Sequence, residues 1–168
     1  MKPIGIFGGT FDPIHFGHLR TAFELRQALD LAEMRFIPAG RPPHRGTPSC
    51  DPLHRLAMVR AATADQPGFA VDDREVRRDG PSYMVLTLRE LRAEAPARPL
   101  CLVVGMDAFL GLPQWYEWRE VLERSFGHAT HYLLAERNGA LCGVLPLAQV
   151  RSLLFGHEPL SHRAGSAD

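Results

Sequence analysis

The run Pro99 to Val104, PLCLVV, is apolar throughout and stops at Gly105. A strand with one wet face alternates apolar and polar residues. A strand without alternation needs cover on both faces, which is the situation of a central strand in a parallel sheet. Ile4 to Phe7 is a second such run, and it ends in the glycine pair Gly8-Gly9. Further strands are expected at Met34 to Pro38, Phe69 to Val76 and Tyr132 to Ala135. Helical spacing lies between them. Phe16 to Leu29 carries Leu19, Ala22, Phe23, Leu25 and Leu29 at near-helical intervals, and Asp51-Pro52 makes an N-cap and first-turn pair for a helix to Ala64. Ser82 is placed to cap a helix from Tyr83 to about Glu94, and helical turns are expected from Trp115 to Leu122. The segment GRPPHRGTPSCDP is an ordered loop, because its prolines and glycines exclude helix and central strand. This alternation predicts an α/β open parallel sheet with helices on both faces. Residues 1–155 would form one domain and 156–168 a loose polar tail.

The chain's 168 residues are enough for one domain with a real core, and its 45% hydrophobic and 23% charged content is that of a globular protein. Lysine plus arginine equals aspartate plus glutamate at 19 each, so no basic footprint suggests nucleic acid or an anionic membrane as partner. Any phosphate binding has to come from local groups. No apolar run reaches the ~18 residues of a membrane span. Cys50, Cys101 and Cys142 form no CxxC pair, which argues against structural disulfides and a thiolate zinc site. A cytoplasmic protein is expected.

The segment GGTFDPIHFGH, Gly8 to His18, carries the chemistry. The glycines let the backbone approach a phosphate closely and turn its N–H groups toward it. His15 and His18 fall where the next helix should begin, so their imidazoles would share an anion with the positive end of the helix dipole. Gly17 puts no side chain between the rings. In open α/β sheets ligands bind beyond the carboxyl ends of the strands, where this segment falls. A glycine pair alone is weak, and two histidines three apart could equally be surface groups or half of a metal site. The whole string is specific: it resembles the GTFDPxHxGH signature of the nucleotidylyltransferase superfamily.

Three more segments narrow the resemblance. Arg41-Pro42-Pro43-His44-Arg45, then Pro81-Ser82-Tyr83 with Thr87-Leu88, then Gly105-Met106-Asp107 with Leu112-Pro113-Gln114-Trp115 and Trp118 are similar to motifs of bacterial nicotinate mononucleotide adenylyltransferases. The match runs from about residue 4 to 124 in order. Phosphopantetheine adenylyltransferases share the first motif but neither the PPHR loop nor the LPxW segment. A class I aminoacyl-tRNA synthetase fragment shares the HxGH idea, but short length, neutral charge and the missing KMSKS-type loop count against it.

The resemblance implies a Rossmann-like fold and transfer of AMP from ATP to nicotinate mononucleotide, with pyrophosphate released and Mg2+ accompanying ATP. It implies that Gly8, Gly9, Thr10 and Phe11 surround the nucleotides and that His15 and His18 are catalytic, holding the ATP phosphates. Gly105 and Asp107 would meet the ribose, and Arg137 and Arg151 would bind ATP. His44 and Arg45 would close over the site from the acceptor side, with Tyr83, Met84, Trp115 and Tyr116 around the pyridine ring and its carboxylate. The family usually has threonine at the position of Met84. No protein metal site is expected: His128 and His131 have ligand spacing without further ligands.

The resemblance weakens toward the C-terminus. The family is longer and opens a helix with IS-x-T-x-IR. Here the nearest segment is Leu145 to Arg151, with Pro146 and Ala148 at the hydroxyl positions. Losing two hydroxyl donors should weaken ATP binding. A second reading therefore stays open: a catalytically weak nucleotide-binding protein, completed by self-association into a homo-oligomer.

Overall fold

The computed structural model describes residues 1–43, 46–126, 130–137 and 140–148, with side chains described up to residue 122. Four strands, β1 (Ile4–Gly9), β2 (Glu33–Pro38), β3 (Phe69–Val71) and β4 (Leu100–Val103), make a parallel sheet in the order β3-β2-β1-β4. Chain order runs outward from β1 through β2 to β3, then returns to the other side of β1 with β4. The crevice beyond β1 and β4 is the switch point of an open α/β sheet.

Helices cover both faces because each strand alternates two apolar sets. Ile4 and Ile6 of β1, Ile37 of β2 and Leu100 of β4 point to one face. There they pack with Val85, Leu88 and Leu91 of α4 (Met84–Glu94) and Val121 of α6 (Trp118–Phe126). Phe7, Met34, Phe36, Cys101 and Val103 point to the other face. They meet Ala22 and neighbours of α1 (Phe16–Ala28) and Val59 of α2 (Pro52–Thr63). The expected open parallel sheet with two helical layers is the observed architecture.

Local chemistry revised some boundaries. The strand expected to reach Val76 stops at Val71, because Asp72 accepts the Arg74 N–H at 3.1 Å and its guanidinium at 2.7 and 2.9 Å. The chain turns there into a one-turn helix, α3 (Arg74–Arg77). Ser82 does not cap α4. Tyr83 holds the N-cap position, while Ser82 Oγ accepts the N–H groups of Gly40 and Arg41 at 2.9 and 3.1 Å. Of the helical turns expected from Trp115 to Leu122, only those from Trp118 form, as α6, while α5 (Met106–Leu110) and a 3₁₀ turn (Leu112–Gln114) precede them.

The strand expected at Tyr132 to Ala135 is β5 (Thr130–Arg137). It pairs antiparallel with β6 (Ala140–Ala148) in a separate two-stranded sheet rather than extending the parallel one. Leu145 to Ala148 thus ends a strand, where the resemblance implied the opening of a helix. Apolar residues throughout Leu141 to Leu147, apart from Gly143, favour pairing over a solvated helix start. The boundary expected at 155/156 lies outside the described residues.

Candidate active site

Gly8 and Gly9 are the last residues of β1, opposite Ile37 and Pro38 of β2. On the other side, the pairing with β4 stops two residues earlier, at Phe7 and Val103. The glycine pair is therefore bonded along one edge and open toward β4. That open edge is where a ligand can take the place of a strand. A Cβ at position 8 would meet the terminal methyl of Met84, so that flexible side chain would have to move aside.

After the glycines the chain turns sharply. Phe11 has φ +49° and is buried, and the Asp12-Pro13 peptide is cis. The turn delivers His15 to the N-cap of α1 and His18 to its first turn, with ring centroids 3.8 Å apart. Gly17 leaves room for this contact, since a Cβ there would sit 3.1 Å from His15 Nδ1 and the ring would have to give slightly. The His18 ring also packs edge-on against Phe11 at 5.2 Å. His18 Nδ1 accepts the backbone N–H of His15 at 3.3 Å. In the neutral ring the proton then lies on Nε2, leaving a donor free. Burial, and secondarily the neighbouring His15, hold the His18 pKa below the usual histidine value.

The other strand ends complete the crevice. Gly105, just beyond β4, is the N-cap of α5, and Asp107 is exposed in that helix's first turn. A Cβ on Gly105 would come within 2.8 Å of Asp107 Oδ1, so the carboxylate lies back over the glycine. On the opposite flank, Tyr83 and Tyr116 stack with centroids 4.6 Å apart. Arg89 of α4 fixes the segment carrying Tyr116 by pairing with Glu117 and with Glu120, the latter at 2.9 Å through Nε. Met84 begins α4, and Trp115 is half-buried at the end of the 3₁₀ turn. The structure thus gathers Gly8 to Phe11, His15, His18, Gly105, Asp107, Tyr83, Met84, Trp115 and Tyr116 along the carboxyl edge of the sheet. His44, Arg45 and Arg151 lie outside the described residues. Arg137 belongs to β5, with its side chain outside the described set.

Two residues of the site take no role from the sequence alone, although Asp12 lies within the glycine–histidine string. Asp12 accepts the Ser49 N–H at 2.6 Å and its hydroxyl at 2.7 Å, and those bonds lower the carboxyl's pKa. Arg55 of α2 is fully buried and donates to the carbonyls of Thr10 at 2.5 Å, Gly40 at 3.2 Å and Cys50 at 3.2 Å. The one sequence signal for Arg55 is its place beside the inward stripe Leu56, Val59, Thr63 of α2, an odd position for an exposed cation.

A doubly wound sheet with a glycine turn and paired imidazoles at its switch point defines a nucleotide-binding α/β protein of the transferase kind. The model of the Cytidylyltransferase-like family matches residues 6–132, more than half of the chain. A protein of Halorhodospira halophila named "Probable nicotinate-nucleotide adenylyltransferase" is 51% identical over 167 residues, which cover 97% of this chain and 74% of that protein. One of the same name from Aeromonas hydrophila is 54% identical over 137 residues, covering 82% and 62%. The chain thus spans between three fifths and three quarters of the length of these two relatives. The Plasmodium falciparum nicotinic acid mononucleotide adenylyltransferase complexed with NaAD shares the fold. Its TM-score is 0.62 at 18% identity, over 73% of this chain and 60% of that one. The chain belongs to the nicotinate-nucleotide adenylyltransferase family. Among the described residues no helix is long and apolar enough to cross a membrane.

Proposed function

We propose that this chain transfers AMP from ATP to nicotinate mononucleotide, giving nicotinate adenine dinucleotide and pyrophosphate, a step of NAD biosynthesis. The observation that carries this reading is the His15–His18 pair stacked beside the open edge of Gly8-Gly9. An oxygen of the acceptor's phosphate attacks the α-phosphorus of ATP. A new P–O bond forms there and the bond to the pyrophosphate oxygen breaks. The nucleophile is already an anion, so the protein needs no base. Its task is in-line positioning and stabilisation of charge on the phosphate oxygens. His18 Nε2, His15, the backbone N–H groups of the turn and the N-terminus of α1 are the donors suited to that task.

Magnesium would travel with the triphosphate, held by phosphate oxygens and water, and lower the charge repelling the nucleophile. The donors of the turn are N–H groups and imidazoles, which suit phosphate oxygens rather than a hard cation. Among the described residues no three His, Cys, Asp or Glu side chains come together as a protein cage.

The pH dependence of ATP binding follows from His18. Its pKa is depressed in the free protein, and a phosphate beside it favours the charged ring. Between the free and bound values, binding takes up a proton, so ATP affinity should rise as pH falls through the region around and below 6.5. Calorimetry in buffers of different ionisation enthalpy should register this uptake, and His18→Asn should abolish it. Identical uptake in the variant would assign the proton to another group.

For the acceptor, Tyr83 at the N-cap leaves the first N–H groups of α4 without helical acceptors, beside the Tyr83–Tyr116 stack. Those donors suit a carboxylate, so kcat/KM should favour nicotinate mononucleotide over its amide by about tenfold or more. A screen of acceptors with ATP and magnesium, scored by pyrophosphate release, tests the reaction and the acceptor together. No pyrophosphate with any nucleotide acceptor, alongside measurable ATP binding, would favour the weak nucleotide-binding reading.

A further inference from the structure

We infer that Arg55 is a positioning residue that sets the aim of the phosphate-binding turn by holding the Thr10–Phe11 peptide in one orientation. This rests on the proposed nucleotide site and adds a residue to it. The guanidinium has no solvent exposure and borders the cavity between Gly40 and the segment Ser49 to Pro52. Its planar fork joins three segments distant in sequence: Nη1 reaches Thr10 at the end of β1, Nη2 reaches Gly40 after β2, and Nε reaches Cys50 before α2. Burial lowers its pKa, with Asp12 and Asp51 opposing, but an arginine stays charged at neutral pH.

The consequence follows from peptide geometry. In a trans peptide the C=O and the next N–H point in opposite directions. With the Thr10 carbonyl pinned to Nη1, the Phe11 N–H is turned to the opposite side of the turn, away from α2. The Gly40 peptide obeys the same rule: its carbonyl faces Arg55, and the Arg41 N–H, turned the other way, meets Ser82 Oγ. Phe11 is thereby kept at its positive φ, where an unrestrained phenylalanine would rarely stay. A cation that fixes an N–H donor before the phosphate arrives spares reorganisation at the moment of reaction. Lysine cannot replace it, because one ammonium cannot span three diverging carbonyls.

Two measurements test this. The first uses wild-type protein labelled with nitrogen-15 and titrated with a non-hydrolysable ATP analogue. The Phe11 amide should move among the largest shifts. A silent Phe11 amide while His18 shifts would overturn the proposal, and it does so whether or not the protein turns over. The second uses Arg55→Lys. KM for ATP should rise about tenfold or more, while KM for nicotinate mononucleotide changes little. A purely structural arginine would instead lower the active fraction with both KM values unchanged, and that result would sink the idea. If the lysine variant does not fold, the amide titration decides alone. Wild-type protein that binds the analogue through Phe11 but releases no pyrophosphate would refute the proposed reaction and leave the role of Arg55 standing.

Discussion

His18→Ala should lower kcat for pyrophosphate release by about 100-fold or more, with the protein still folded. The ring contributes three things at once. Its Nδ1 accepts the His15 N–H, its faces pack on Phe11 and His15, and its Nε2 is left as a donor toward the crevice. Only the last is needed for the chemistry. Loss of the first resembles loss of a helix cap, worth about 1 kcal/mol, and in a domain of this size that lowers Tm by roughly 2–4 °C. The variant should therefore give a cooperative melt slightly below wild type and a collapsed rate. His18→Asn retains a short polar group near the His15 N–H and separates the two effects, recovering more of the melt than of the rate. Wild-type turnover in either variant would remove this imidazole from the mechanism.

Gly40→Ala should destabilise the protein by about 2–4 kcal/mol, lowering Tm by roughly 4–16 °C, and should reduce activity in the fraction that remains folded. Gly40 has an ordinary φ, so the reason is space rather than backbone freedom. A methyl group there would run into the backbone carbonyl of Glu75, and a backbone atom cannot swing aside as a side chain can. The strand end has to move away from α3. That movement pulls on both of the Gly40 backbone bonds, N–H to Ser82 Oγ and C=O to Arg55. Ser82 is in turn linked to the buried Glu75, whose pKa burial raises and whose carboxyl accepts Thr87 Oγ1 at 2.5 Å. Gly46 offers a control, because a Cβ there meets nothing. Gly46→Ala should leave Tm within about 1 °C of wild type, as open surface substitutions usually do. Equal melts for the two alanine variants would mean that the crowding at position 40 is relieved without cost.

Much of the molecule was legible in the sequence because the relevant forces are local. Ile4 to Phe7 and Leu100 to Val103 are apolar at consecutive positions, which fits a strand covered on both faces. Pro52 follows a capping aspartate, and Asp51 does accept the Leu53 N–H at 2.8 Å. Glycines after a strand and histidines at a helix start are read directly from their order, and the structure brings the two rings into contact. Tertiary contacts decided the rest. Ser82 reads as a helix cap from its neighbours alone. Its oxygen is instead taken by N–H groups 41 and 42 residues away, which stand closer than its own helix. Arg55 looks like one more surface arginine until α2 lies across the ends of β1 and β2 and offers it carbonyls up to 45 residues distant. The strand at 130–137 shows the same limit, since apolar pattern predicts a strand but not its partner. Periodicity and capping act over a turn or two of chain. Which oxygen a buried donor finds depends on packing that no short stretch of sequence contains.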